Sequence, residues 1–149
     1  MSTRIGAASA AKDGVANVLA DQLRAQRHSV DAHAPDRAGL EAFIHSYLSP
    51  QHRDQCADGC PSAALLDEIA RRPAATRQVF TDELMGVIED IASRLDPTDA
   101  EAARTDALTI FGLMIGTLQL ARALTDRDLS DQLLTHGVET AVKLLDDRA

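Results

Sequence analysis

Residues 111–124, Phe111-Gly112-Leu113-Met114-Ile115-Gly116-Thr117-Leu118-Gln119-Leu120-Ala121-Arg122-Ala123-Leu124, constrain the fold more than any other stretch. They read as a helix that is apolar nearly all round. A helix covering one core shows a single apolar stripe, so apolar residues on two faces ask for two packing partners. In a chain of 149 residues the second partner is expected to be another copy of the same chain. Gly112 and Gly116, four apart, would let two helix backbones approach closely. Close packing inside the monomer is the competing use of such a pair. Leu108, Phe111, Ile115 and Leu118 already supply apolar surface, which favours a seam between copies. Gly112, Ile115 and Gly116, with Leu133 further on, are the residues assigned to it.

The rest of the chain reads as helices at the same 3.6-residue period. Residues 8–28 carry Val15, Val18, Leu19 and Leu23 as one stripe, and residues 28–35 read as a polar loop. Asp36 is a good N-cap for a helix over 37–48, whose buried face would be Leu40, Phe43, Ile44 and Tyr47. Ser49-Pro50 ends it, and 51–59 read as a polar connection. Cys60-Pro61-Ser62 opens a third helix with Leu65, Leu66 and Ile69. Pro73 suits the start of a fourth, over 74–95, with Val79, Phe80, Leu84, Val87, Ile88 and Ile91 in line. Thr98 with Glu101 forms a capping box for the fifth helix, over 99–124. Thr125 or Asp126 would cap the sixth, over 128–147, which carries Leu129, Leu133, Val138, Ala141, Val142 and Leu145. With no strand signal and no internal repeat, the expected fold is all-α, six helices in one domain.

Composition narrows the function classes. Net charge is −8 with a pI near 4.9, and the arginines are scattered, Arg71-Arg72 being the closest pair. Duplex DNA binding draws on a basic stripe that neutralises phosphates, and no such stripe is present. The most apolar window, 107–124, is interrupted by Thr109, Thr117, Gln119 and Arg122, which argues against a membrane span. No apolar signal segment follows Met1, so the cytoplasm is the expected location and free thiols the expected state of Cys56 and Cys60. Those two thiols, in Cys-x3-Cys spacing with His52 as the only nearby third ligand, do not make a structural zinc site. There is no Gly-rich phosphate loop, no Gly-x-Ser-x-Gly elbow and no paired His/Glu metalloprotease spacing, so neither an enzymatic role nor a cofactor is expected.

Lys12-Asp13-Gly14-Val15, Gly59-Cys60-Pro61-Ser62, Pro73-Ala74-Ala75-Thr76 and Leu120-Ala121-Arg122-Ala123 together resemble segments of the tetracycline-repressor (TetR) family of bacterial transcriptional regulators. Lys12-Asp13-Gly14-Val15 resembles the entry to that family's long connecting helix. Gly59-Cys60-Pro61-Ser62-Ala63-Ala64-Leu65 resembles a Gly-Cys-Pro segment opening a helix of the ligand domain, and Pro73-Ala74-Ala75-Thr76-Arg77-Gln78-Val79-Phe80 the helix after it. Leu120-Ala121-Arg122-Ala123, an acidic turn and Leu129-Ser130-Asp131 resemble the family's last two helices. The resemblance implies a C-terminal ligand-binding and dimerisation domain over 12–149, with 1–11 as an N-terminal extension. It implies a six-helix bundle whose last two helices form a four-helix interface between two copies. The DNA-reading helix-turn-helix module does not carry over, because only eleven residues precede Lys12; DNA would be reached only through a module not present in this chain.

By the same resemblance, Phe43, Tyr47, Phe80, Leu84, Phe111 and Met114 would line a cavity for a small hydrophobic or amphipathic effector, with Tyr47 or His45 offering a hydrogen bond. A packed core is the plainer use of the same residues. Cys60, at a helix start, is either a thiol activated by the helix dipole, with Cys56 to resolve it, or a small packing residue. Three functions compete: the sensor domain of a homodimeric regulator, a headless relative acting as ligand buffer or inactive heterodimer partner, and a structural helical dimer without ligand.

Overall fold

The computed structural model describes residues 14–55 and 62–148. Among these residues the chain is all-α, with seven helices: α1 (Gly14–Asp31), α2 (Arg37–Tyr47), α3 (Pro50–Asp54), α4 (Ser62–Ala70), α5 (Ala74–Leu95), α6 (Ala100–Ala123) and α7 (Arg127–Arg148). The long helices pack α1 on α5, α5 on α6 and α6 on α7, while α2 contacts all four of them. Cys56, Cys60, Pro61 and Lys12 lie outside the described residues, and with them the thiol chemistry considered for Cys60.

Capping chemistry sets most of the helix starts. Asp36 accepts a hydrogen bond from the Gly39 amide at 2.8 Å and opens α2 as expected. Asp126 does the same for α7, taking the Leu129 amide at 3.1 Å. At α6 the cap is Asp99, bonded to the Ala102 amide, and not Thr98. Thr98 instead donates its hydroxyl to Asp96, which also takes the amides of Thr98 and Asp99. An aspartate positioned to collect three donors in a tight turn outcompetes the capping box.

The seventh helix is α3, where a polar connection was expected. Ser49 caps it through the His52 amide at 3.1 Å, and Pro50 occupies the first turn, where its missing N–H costs nothing. α1 also runs on to Asp31. Val30 is wholly buried, and the Arg94 guanidinium reaches the carbonyls of Val30 and Ala34. The chain then passes so close to α2 that a Cβ on Gly39 would stand 1.8 Å from the Ala34 carbonyl oxygen. Only glycine fits there.

Leu40, Phe43, Ile44 and Tyr47 are all buried, as their spacing predicts. They meet Val87, Ile88 and Ile91 of α5, Ile110, Phe111, Met114 and Leu118 of α6, and Leu134 and Leu145 of α7 in one core. Two stripes differ from expectation. On α1 Val18 is 48% exposed while Ala16, Leu19, Ala20 and Leu23 face inward. On α7 the inward face is Ser130, Leu134, Gly137, Ala141 and Leu145, leaving Leu129 out. On α7 a neighbouring helix approaches closely: a Cβ on Gly137 would stand 2.6 Å from the Thr117 Cγ2.

Candidate functional site

The few aromatic rings are gathered. Phe43 and Tyr47 lie with ring centres 5.8 Å apart, and Tyr47 stands 6.4 Å from Phe111 and 4.9 Å from the His52 ring. The His52 ring nitrogen Nδ1 is 2.7 Å from the Tyr47 carbonyl, which ties α3 to the end of α2. Phe43, Phe111 and Met114 are inside the core. Tyr47, Phe80, Leu84 and Phe111 converge on a largely apolar cleft between α1, α2, α4, α5 and α6, completed by Leu19, Leu23, Leu66 and Ile115, with Gln22 and Gln26 of α1. Its free volume is about 40 Å³, room for a water molecule or two. Of the six residues expected around an effector, four therefore share this cleft; Phe43 and Met114 do not line it. His45 is exposed on α2, away from it.

The other assigned surface is the exposed face of α6. Gly112 and Gly116 are exposed, and a Cβ on either would meet nothing within 4 Å. Leu108 and Leu120 are exposed on the same helix, and Leu129 and Leu144 on α7. Leu133 is half-buried against the core, and Ile115 is turned toward the cleft. Among the described residues no three His, Cys, Asp or Glu side chains gather to hold a metal ion. None of their helices is long and apolar enough to cross a membrane.

A third feature has no local sign in the sequence. Arg53 of α3, Arg122 of α6 and Arg127 of α7 line one cleft of about 360 Å³, with Asp54, Gln119, Ala121, Leu124 and Ser130. Arg53 is buried, and its Nη1 donates to the Ser130 hydroxyl at 2.8 Å and to Asp131 at 2.5 Å, while Nε donates to Asp54 at 3.0 Å. Ser130 donates its own hydroxyl hydrogen bond to the Ala121 carbonyl at 2.7 Å. These bonds to Asp54 and Asp131 raise the Arg53 pKa above its ordinary value. Asp54 is held below the usual carboxylate value by Arg53 and then by Arg127, which donates to it at 2.5 Å. Arg122 spans to the carbonyls of His52 and Arg53, at 3.0 and 3.2 Å. In the sequence it is merely a polar interruption of an apolar window; only the fold sets it beside α3.

No family model matches the chain, and neither a characterised protein nor a solved structure matches it.

Proposed function

We propose that this chain is the ligand-sensing and dimerisation domain of a transcriptional regulator resembling the TetR family, working as a homodimer. The observation that carries the proposal is the open face of α6. Two mid-helix glycines with nothing beside them lie in line with the exposed Leu108 and Leu120 of the same helix, an arrangement suited to close approach by a second copy. Mid-helix glycine costs about 0.5–1 kcal/mol relative to alanine, so its presence on an open face asks for a packing reason. The pairing would place α6 and α7 of each copy in a four-helix seam. A small apolar effector would enter between α1 and α5, widening the cleft at Tyr47, Phe80 and Leu84. Because the cleft is narrow as it stands, binding would favour an arrangement with α1 displaced, and that difference in affinity is the signal. DNA contact in this reading belongs to a helix-turn-helix module that these residues do not supply.

Sedimentation equilibrium tests the seam. The expected mass is twice the 16.0 kDa of the chain, falling to a monomer in Gly116→Leu; a monomeric parent, or an unaltered dimer in the variant, refutes it. The tight packing of Phe43, Phe111 and Met114 supports a second reading, a structural dimer without ligand. Titration with the neutral fluorophore N-phenyl-1-naphthylamine separates the two. Saturable binding that Leu84→Trp abolishes supports the sensor, and no binding supports the structural dimer.

A further inference from the structure

The cleft formed by α3, the end of α6 and the start of α7 carries more donors than acceptors. Arg53, Arg122 and Arg127 bring three positive charges, and the carboxylates paired with them are those of Asp54 and Asp131. Arg122 has no carboxylate partner among the described residues; its bonds go to backbone carbonyls. Its Nη1 and the Gln119 Nε2 are buried and have no acceptor among the described residues. A buried donor left unmade costs about 1–3 kcal/mol, so these two, on residues that line the cleft, call for an acceptor. The volume, about 360 Å³, lies in the range of small-molecule sites. Leu124 and Ala121 add an apolar wall beside the guanidinium groups.

We propose that this cleft binds a small amphipathic monocarboxylate. Its carboxylate would lie between Arg122 and Arg127, accept from Arg122 Nη1 and the Gln119 amide, and take one further hydrogen bond from the Arg127 guanidinium; its short hydrocarbon tail would rest on Leu124 and Ala121. One anion matches the one guanidinium in excess of its carboxylate partners. The planar guanidinium fork suits carboxylate geometry. Arg53, saturated by Asp54, Asp131 and Ser130, holds α3 and α7 in place and donates nothing to the ligand. The site is separate from the apolar cleft at Tyr47 and Phe80 and does not depend on the regulatory reading above.

The test is calorimetric titration of the whole chain with hexanoate at low ionic strength, with 1-hexanol and inorganic phosphate as controls. Saturable 1:1 binding of hexanoate is expected, with hexanol and phosphate much weaker. Added salt should weaken it, and Arg127→Gln should weaken it by about tenfold or more, the size of one lost charge-assisted hydrogen bond. Arg127 is exposed at the rim, so its replacement leaves the fold intact. Arg122→Gln should abolish binding, but Arg122 also braces α3. The side-chain amide resonance of Gln119 therefore serves as a second readout, and it should shift on hexanoate addition in the unmodified protein. Absence of saturable binding overturns the proposal. So does hexanol or phosphate binding as tightly as hexanoate, an unchanged affinity in Arg127→Gln, or a Gln119 amide that does not move.

Discussion

At the scale of single residues, charged side chains in this protein act through what they hold together. Asp54 receives Arg53 and Arg127 and joins α3 to the start of α7, while Asp96 collects a hydroxyl and two amides at the turn into α6. Both carboxyls titrate below their ordinary value of 3.8, Asp54 chiefly through the Arg53 hydrogen bond and Asp96 chiefly through the Thr98 hydroxyl. A carboxyl depressed in the folded state contributes stability that is fully present above its unfolded value and is lost as pH falls through its folded one. Urea unfolding followed against pH should therefore show stability declining below the ordinary value of 3.8. Asp54→Asn and Asp96→Asn should each flatten that acid limb. An acid limb of the same slope in both variants would contradict the assignment.

At the scale of elements, glycine separates the two sides of α6 and α7. Gly112 and Gly116 stand over open space, whereas Gly137 sits with its Cα against Thr117 and Leu48. Replacing Gly112 by Ala should raise the stability of the isolated chain by about 0.5–1 kcal/mol, since the new methyl touches nothing and the unfolded chain loses freedom. Gly137→Ala should lower it by about 1–2 kcal/mol, because the methyl would meet the Thr117 Cγ2 at 2.6 Å and the Leu48 Cδ1 at 3.3 Å. Urea midpoints measured at a protein concentration too low for self-association decide this, and shifts of the same sign would show that the two helix faces are not distinct. Helix positions themselves were largely legible in the sequence. Asp36 and Asp126 cap where side-chain chemistry says they should, and the α2 stripe is buried throughout. The short helix α3 was missed because Ser49-Pro50 can end one helix and begin another with the same atoms.

At the scale of the whole molecule, burial is uneven. The main core runs from α2 through α5, α6 and α7, while among the described side chains α4 and the start of α1 share the small cluster of Ala16, Leu19 and Ile69, with Phe80 half-buried against it. Regions with few buried apolar contacts open at lower free energy than the core. Amide hydrogen exchange should therefore be faster in α4 and the first turns of α1 than in α6 and the second half of α5. Equal protection across all of them would mean that the small cluster opens only with the core. The apolar cleft lies at this boundary, between Leu19, Leu66 and Phe80 on one side and Tyr47 and Phe111 on the other.

The sequence by itself determined that the chain is helical, where most helices begin and which face of α2 is buried. Those properties follow from the 3.6-residue period and from caps whose partners lie three residues away. Tertiary structure alone decided which of several apolar residues on α1 and α7 face inward. Local periodicity does not distinguish Val18 from Ala16, or Leu129 from Ser130, until the neighbouring helices are in place; Ser130 faces inward because it bonds Arg53 and the Ala121 carbonyl. It alone also brought Arg53, Arg122 and Arg127 into one cleft, since no spacing rule links charges carried on three separate helices.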